Sequence, residues 1–462
     1  MRFIYFSMLS VLLTTALING QTSLKTSVEQ YEKIDKLVEK QHYKEALDYL
    51  ESKRKDAYGE KDRVLYWIDY ALLSHYAGLD SVSLKYFSKA EIAMEELYTK
   101  SLSKAAGSLL INDNVLDYRG EDYEKIYVRM FRGLTYYKLG LFEDAIIEVK
   151  NMNEQLALLE NRSKRMAEEM NKSKGVKKDF YVNKSEFNNS ALARYLSMLV
   201  YLYEGKIDDA QIDKDKIHDA FVSQKHIYDF PEPNLEIYFN ESDKVKLNFI
   251  SFVGLSPIKY AWNMKIDTYT NGLGIYREEN NKWKLNEKMD WPGMTSGLNI
   301  KFSLPKLKMR GTEVNKVDVV VNGRVMTELS PIESIENIAM ETYKIREPII
   351  YIKSITRSIL KAIANESANK ELDKTTGSGL FGDLTRTLTS EIVGLTENAD
   401  LRISHYFPSL ALIGVLELEE GSYDIQINYK DSYGRIIYSD FYQNQEVRKG
   451  SGKNLIESIY LK

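Results

Sequence analysis

Two parts of the chain differ in the spacing of their apolar residues. From about residue 24 to 226 apolar residues recur with the period of an α-helix, and no proline interrupts them. From the stretch DFPEPN (residues 229–234) onward the chain contains all eight of its prolines, and short alternating segments become frequent. The pattern predicts an α+β protein, with a helical part over residues 21–228 and a β-rich part over residues 232–462.

The β-rich part contains several segments with strand character. LEIYF and VKLNFISFV are predicted strands, and VDVVVNGRVMTEL is predicted to form a hairpin around Asn322–Gly323, a dipeptide that tolerates positive φ. GSYDIQINYKDSYGRIIYSDFY predicts a second hairpin with Gly434 in its turn. Between these segments, at about residues 331–396, lies a block with helical periodicity, so we expect a helical insertion in the β-rich part.

Two stripes run along the segment IIYIKSITRSILKAI within this helical block. The apolar stripe comprises Ile352, Ile355, Ile359 and Ile363, and the basic stripe comprises Lys353, Arg357 and Lys361. The spacing of four residues places the basic side chains on one helical face. We interpret that face as exposed to solvent, and contact with an anionic surface or partner is the alternative.

The helical part contains recurring helix–turn–helix units. The clearest is FRGLTYYKLGLFEDAIIEV, residues 131–149, with small or aromatic residues at the positions where paired helices meet: Gly133, Tyr136, Gly140, Phe142 and Ala145. This segment resembles a tetratricopeptide repeat (TPR). Weaker copies align on EKQHYKEALDYL, WIDYALLSHYAGLDSVSLKYFSKA and YLSMLVYLYEGKIDDA. Four aligned turns predict a TPR-like α-solenoid interrupted by insertions.

TPR-like arrays form a curved surface that binds peptides or protein segments. We therefore predict a protein or peptide partner. The candidate contact residues lie on the clearest repeat and are Arg132, Tyr136, Tyr137 and Phe142. The alternative is that the helices pack only against the β-rich part of the same chain.

The first twenty residues have the pattern of a secretory signal peptide. Arg2 precedes an apolar run over residues 3–18, and Gly20 offers a small residue for cleavage. The run is shorter than the roughly 20 residues needed to cross a bilayer, so an uncleaved anchor is the less favoured alternative. We expect an exported protein that is periplasmic or associated with the cell envelope.

Composition removes several classes of chemistry. The chain has no cysteine, which excludes disulfides, thiolate metal sites, cysteine nucleophiles and lipid attachment to an N-terminal cysteine. Charges of both signs are interspersed and the formal net charge is −4, so nothing favours nucleic acid as a partner. None of the five histidines has a second histidine four residues away, and we predict no metal site and no cofactor.

Two short motifs contain residues that often take part in chemistry. GSGLFG, residues 377–382, matches G-x-G-x-x-G, but polar residues precede it where a dinucleotide site needs a strand, so we interpret it as a loop. ENADLRISHYFP, residues 397–408, combines Asp400, Arg402 and His405. In an extended segment Asp400 and Arg402 share a face that His405 does not, which argues against a catalytic triad. We interpret the pair as a structural anchor, paired with the helical block.

Several segments, in order along the chain, resemble an uncharacterised family of bacterial envelope proteins, many of them predicted lipoproteins. INDNVLDYRGEDYE matches its hallmark, with Asn112, Asp113, Tyr118, Gly120, Glu121, Asp122, Tyr123 and Glu124 in place. Further motifs of the family resemble three segments of this chain: GLSP, YIKSITRSILKAI, and ADLR followed by Pro408. The segment LELEEGSYDIQI resembles the strand pair that follows the last motif. This chain departs from the family in lacking a lipidated cysteine and in having Ser404 where tryptophan is usual.

The resemblance implies a TPR-like half joined to a β-rich half and an envelope location, but no activity. We predict an exported, non-enzymatic scaffold or interaction protein, with peripheral contact to the membrane or cell wall as a further possibility. Structural roles are expected for Asp113, Gly120, Glu121, Gly140, Ala145, Asp400 and Arg402. Two alternatives stay open: an envelope hydrolase that acts on a polysaccharide through paired carboxylates, and a peptidoglycan- or carbohydrate-binding module.

Overall fold

A computed structural model describes residues 31–105, 111–172, 178–369, 398–450 and 454–462. The predicted signal peptide, the GSGLFG segment and the last part of the predicted helical block lie outside these residues. Within the described ranges, every helix falls short of the length or the apolar character that crossing a bilayer requires.

The first part of the chain is built from helix pairs joined by tight turns. In chain order the helices are α1 (residues 31–39), α2 (Tyr43–Ser52), α3 (Arg54–Ala57), α4 (Arg63–Tyr76), α5 (Asp80–Ser103), α6 (Asp122–Leu139), α7 (Phe142–Asn171), α8 (Ala191–Tyr203) and α9 (Ile207–Ser223). The pairs are α1 with α2, α4 with α5, α6 with α7, and α8 with α9.

The same turn joins the helices of all four pairs. Its central residue has positive φ and is Gln41, Gly78, Gly140 or Gly205. In each turn the N–H of that residue donates to the carbonyl three positions earlier, and the next N–H donates to the carbonyl five positions earlier. These bonds satisfy carbonyls that the end of a helix would leave unpaired. Five residues after each turn residue stands a small side chain that is fully buried: Ala46, Ser83, Ala145 or Ala210.

The second part contains twelve described strands and one long helix. The strands are β1 (Val245–Val253), β2 (Ile258–Tyr269), β3 (Gly272–Glu279), β4 (Lys282–Asp290), β5 (Asn299–Lys308), β6 (Lys316–Val321), β7 (Arg324–Glu328), β8 (Ser330–Ser334), β9 (Leu410–Leu418), β10 (Gly421–Lys430), β11 (Ile436–Val447) and β12 (Leu455–Tyr460). Helix α10 spans Ile335–Asn369. Three four-stranded sheets have the orders β12-β1-β9-β8, β11-β10-β6-β7 and β4-β3-β2-β5.

Both predicted hairpins are confirmed, and one predicted strand is wrong. Asn322 and Gly323 have φ of 47° and 80° between the paired strands β6 and β7, and β10 pairs with β11 around Gly434. LEIYF, in contrast, contains a 3₁₀ turn over Glu236–Tyr238. The Tyr238 side chain points into the helical core, where its hydroxyl lies 2.9 Å from that of Tyr195. Tertiary packing has overridden the local β propensity of this segment.

The first two sheets pack face to face, and the first sheet also packs against the helices. Valine, leucine, isoleucine and tyrosine side chains of β1, β9, β6 and β10 fill the space between the sheets. On the opposite face of β1, the ring of Phe252 lies 5.1 Å from the ring of Phe131 in α6. Phe407 lies 6.1 Å from the same Phe131 ring. The helical part therefore packs against its own β-rich part through a shared apolar core.

Helix α10 lies between the third sheet and the helices α6 and α7. It contains Pro348, which has no N–H to donate to the carbonyl of Lys344 one turn earlier. The side-chain amide of Asn183 donates to that carbonyl at 2.8 Å, and the Asn183 backbone N–H donates to the carbonyl of Ile345 at 3.1 Å. The extended segment before α8 thus repairs the helix where proline interrupts its hydrogen bonds.

Asn183→Ala tests this repair. The substitution leaves the Lys344 carbonyl without its side-chain donor, so we expect the free energy of unfolding to fall by about 1 kcal/mol, the usual net value of one hydrogen bond. Urea denaturation followed by circular dichroism measures the change. Lys184→Ala alters the neighbouring exposed residue and is the matched control. An equal loss of stability in both variants would show that the amide contributes nothing.

Candidate functional site at the junction of the two parts

Three sequence motifs that lie far apart in the chain meet around one cavity. The segment 111–121, helix α10 and the segment 398–402 line a volume of about 590 Å³. Among the described residues that line it, eight are cationic: Lys100, Lys104, Arg119, Lys259, Arg346, Lys353, Arg357 and Arg402. Four are acidic: Asp113, Asp117, Glu121 and Asp400. The junction cavity therefore carries an excess of positive charge.

Arg402 forms the most extensively bonded corner of the cavity. Its guanidinium makes a two-pronged bond to the carboxylate of Asp400, with both distances 2.8 Å. It also donates to Asp62 at 3.0 Å and to the carbonyls of Leu116 at 2.9 Å and Asp113 at 2.7 Å. Although burial acts in the opposite direction, the carboxylates of Asp400 and Asp62 raise the pKa of Arg402 above its ordinary value. The pair joins the 398–402 segment to the helical part, whereas the sequence predicted pairing with the helical block.

The basic stripe of α10 is buried, so its interpretation as a solvent-exposed face is wrong. Lys353, Arg357 and Lys361 are 6%, 2% and 6% exposed. Lys353 Nζ lies 2.6 Å from a carboxylate oxygen of Asp113, and Arg357 donates to the carbonyl of Ile111 at 2.8 Å. Burial of Asp113 opposes ionisation, but Lys353 and Arg357 hold its pKa well below the usual value. The basic face of α10 is buried against the segment 111–113, which supplies partners for its charges. The helical period of the sequence shows which residues share a face but not what packs against that face.

Glu121 occupies the opposite wall and is also paired with cations. Lys259 Nζ lies 2.5 Å from one of its oxygens, and an Arg346 nitrogen lies 3.9 Å from the other. Burial opposes ionisation, yet Lys259 and Arg346 lower the pKa of Glu121 to about 2. The preceding Gly120 has φ of 80°, and a Cβ there would lie 2.6 Å from Cε of Met94. The positive φ therefore favours glycine at the point where the chain enters α6.

Arg119 is a partly buried cation of the lining that forms no ion pair with a described acidic residue. The described part of the chain places no carboxylate oxygen within 4 Å of its guanidinium, and its side-chain hydrogen bond goes to the hydroxyl of Ser101 at 3.3 Å. Burial and the nearby Arg346 lower the pKa of Arg119 to about 10, although the more distant carboxylates of Asp122, Glu121 and Asp113 act in the opposite direction. An anion bound beside Arg119 would stabilise its charged form and raise its pKa again. Neither Arg119, Lys259 nor Arg346 belongs to a pattern by which the sequence could have assigned it to a site.

The rest of the lining shapes what the cavity can hold. Lys100 and Lys104 are exposed and face the cavity from the end of α5. Apolar side chains cover another part of the wall: Leu97, Met166, Met170, Pro305, Ile349 and Ile350. The acids Asp113 and Glu121 are held ionised, so they cannot donate protons near neutral pH. This arrangement suits the binding of an anionic group that carries apolar atoms.

Asp69 and Glu124 are buried carboxyl groups with raised pKa that lie next to each other outside the junction cavity. Asp69 and Glu124 are 0% exposed, and they bracket Ser404, whose hydroxyl donates to Asp69 and whose N–H donates to Glu124, both at 2.6 Å. Burial is the main cause that raises the pKa of Asp69 to about 8 and that of Glu124 to about 7. Because both are sealed from solvent, they support the packing of the 398–408 segment and have no access to a substrate.

The predicted partner-contact residues lie away from the cavity. Arg132 forms ion pairs with Glu91 and Glu148, the latter at 2.9 Å. Tyr137 is 3% exposed and contacts the Phe142 ring, while Tyr136 and Phe142 are partly buried. Contact between these four side chains and a partner stays a prediction. Little of their surface is accessible, because most of it fills contacts between helices.

His405, the residue that drew attention in the sequence, also lies outside the lining of the cavity. Its ring centroid lies 4.7 Å from that of Tyr31, with the two ring planes tilted by 32°, and its Nδ1 lies 3.4 Å from a carboxylate oxygen of Asp35. These contacts join the 398–408 segment to α1.

No protein-family model, no curated protein and no solved structure matches the chain. The resemblance to an uncharacterised envelope family therefore stays a prediction, and the case for function rests on the junction cavity and its charges.

Proposed function

We propose that this protein is an exported, non-enzymatic interaction protein of the bacterial cell envelope whose junction cavity binds an anionic group of its partner. The observation that carries the proposal is Arg119, a partly buried cation that no described carboxylate pairs with. Burying a charge without a counter-ion is unfavourable, so such a group is a natural receptor for an anion.

The surroundings of Arg119 support a carboxylate or phosphate as the bound group. Arg346 and the exposed Lys100 line the same cavity, and guanidinium groups bind both kinds of anion through paired hydrogen bonds. The apolar wall formed by α5, α7 and α10 would contact the part of the partner next to the charge. In this proposal the helix pairs act as a TPR-like array that presents one wall of the cavity, while α10 and β5 provide the other.

A hydrolase has less support from the same geometry. Nearby cations keep Asp113 and Glu121 of the cavity ionised, and Asp69 and Glu124, whose pKa values burial raises, are sealed beside Ser404. An inverting or retaining glycosidase needs one protonated and one ionised carboxyl on either side of an accessible bond. Neither Asp113 nor Glu121 offers such a protonated partner.

Titration with inorganic pyrophosphate tests the cavity directly. We expect binding at low ionic strength that Arg119→Ala weakens by about 10-fold or more, since a hydrogen bond to a charged group contributes about 1.5–3 kcal/mol. Isothermal titration calorimetry measures the affinity. Arg448→Ala is the matched control, because Arg448 is 69% exposed in a surface pair with Glu446. Equal affinity of wild type and Arg119→Ala would contradict the proposal.

The biological part of the proposal needs a second measurement. The protein from residue 21 onward, as wild type and as the Arg119→Ala variant, would be used to capture partners from envelope extract. Recovery of a protein by the wild type but not by the variant supports an interaction protein. Recovery of no partner, together with turnover of purified cell-wall glycan, would establish the hydrolase alternative instead.

A further inference from the structure

A histidine and two glutamates from three separate elements converge on the surface near the start of α10. His226 follows α9, Glu186 lies in the extended segment before α8, and Glu341 lies in α10. The Nε2 atom of His226 is 3.5 Å from a carboxylate oxygen of Glu341 and 3.7 Å from one of Glu186. One ligand atom from each residue lies within 4.8 Å of the others.

We propose that Glu186, His226 and Glu341 bind a Zn²⁺ ion. Zinc accepts imidazole nitrogen and carboxylate oxygen at about 2.0–2.2 Å in tetrahedral geometry, which places neighbouring ligand atoms roughly 3.3 Å apart. The separations from His226 exceed this value by only a few tenths of an ångström, and they are longer than hydrogen bonds. Three protein ligands leave the fourth tetrahedral position for water or for an external ligand.

The three ligands are held in place by other contacts. The N–H of Glu186 donates to Oε1 of Glu341 at 3.4 Å, which leaves Oε2 directed at His226. Asn183 bonds the Glu186 segment to α10, as described above. The side-chain amide of Asn337 donates to the carbonyl of Ile227, next to His226, at 3.0 Å. Such outer contacts fix ligand orientation and strengthen metal binding.

The charges at the site also favour a divalent cation. Glu341 is only 5% exposed, and the cation nearest to it is Lys344, whose Nζ lies 3.5 Å from Oε2. The Lys344 side chain is 57% exposed, so it can turn towards solvent when a metal ion takes its place. An ion bound here would tie the helical part to α10 about 18 Å along the helix from Lys353 of the junction cavity. The site is thus separate from the proposed function.

Metal titration with matched histidine variants tests the proposal. Tag-free protein titrated with Zn²⁺ in a calorimeter is expected to bind one ion that His226→Ala and Glu186→Gln each weaken by more than about 10-fold, because each removes a ligand. Glu186 is mostly exposed, so its variant keeps the fold, which circular dichroism verifies. His218→Ala is the control, because His218 is exposed and faces a single carboxylate, that of Glu232.

Two outcomes would overturn the inference. One is that His226→Ala binds Zn²⁺ as tightly as wild type. The other is that His218→Ala weakens binding as much as His226→Ala does. Substitution of Co²⁺ gives an independent readout: tetrahedral coordination at this site predicts visible absorption bands that His226→Ala loses and His218→Ala retains.

Discussion

Replacing Arg402 with alanine is expected to lower the free energy of unfolding by about 3 kcal/mol, the lower end of the range for removing one partner of a buried ion pair, because this pair is partly exposed. The guanidinium is 17% exposed and donates to two carboxylates and two backbone carbonyls. Alanine leaves Asp400 and Asp62 without their common cation and leaves the 113–116 turn without two donors. Urea denaturation followed by tryptophan fluorescence measures the loss.

A second arginine–aspartate pair provides the matched control. Arg435 contacts Asp431 at 2.6 Å, but its side chain is 73% exposed. Arg435→Ala should therefore cost less than about 1 kcal/mol, as exposed pairs usually do. Arg402→Lys keeps the charge but loses the planar fork, so its stability should fall between wild type and Arg402→Ala. If Arg402→Ala is no more destabilised than Arg435→Ala, Arg402 does not brace the junction.

Raising the pH from about 4 to 8 is expected to destabilise the wild-type chain through Asp69, and Asp69→Asn should reduce that dependence to the part contributed by Glu124. Burial raises the pKa of Asp69 from 3.8 to about 8, so between these values the folded chain holds a proton that the unfolded chain has released. Unfolding then releases the proton, and stability falls as the pH rises. The shift corresponds to a change on the order of 5 kcal/mol across this interval. Glu124, with its pKa raised to about 7, acts in the same direction.

Asparagine is suited to this test because it has the shape of protonated aspartic acid. Its amide can bond the hydroxyls of Tyr58 and Ser404, which lie 2.7 Å and 2.6 Å from the Asp69 oxygens. Denaturation midpoints of both chains would be compared from pH 4 to 8. Asp48→Asn changes an exposed aspartate in the helical part and should retain the wild-type pH dependence. Parallel curves for wild type and Asp69→Asn would show that Asp69 is ionised in the folded chain.

Short sequence patterns predicted those parts of the fold that depend on interactions between neighbouring residues. The turn around Asn322–Gly323 could be predicted because two successive residues with positive φ favour that dipeptide. The turn at Gly140 could be predicted because glycine adopts positive φ without strain, and Ala145 because only a small side chain fits where two helices approach closely. The change in the spacing of apolar residues near residue 230 likewise predicted the boundary between the helical part and the β-rich part.

The cavity could not be predicted because its chemistry depends on contacts between distant segments. Asp113 and Lys353 meet at 2.6 Å although 240 positions separate them. Without knowledge of that contact, the basic stripe of α10 is indistinguishable from the charged, solvent-exposed face of an ordinary amphipathic helix. Arg119 lies inside the segment INDNVLDYRGEDYE but is not one of the residues that carry its resemblance, and Arg346 lies in a segment without a recognised motif. The three proposed zinc ligands are similarly dispersed along the chain. Sequence resemblance did group Asp113, Glu121 and Arg402, but it could not say that they surround one space.

The pairing of the first sheet has a consequence for how the chain folds during synthesis. Strand β1 is paired with β9 on one side and with β12 on the other, so Asn248 lies beside both Val415 and Leu455. A ribosome that has just produced β1 has yet to make either neighbour, and the helices made earlier lack the sheet that covers Phe131. Loop closure over such long separations is slow. The apolar face of the helical part should therefore stay exposed, and accessible to chaperones, until residues near 460 have been synthesised and β12 can pair with β1.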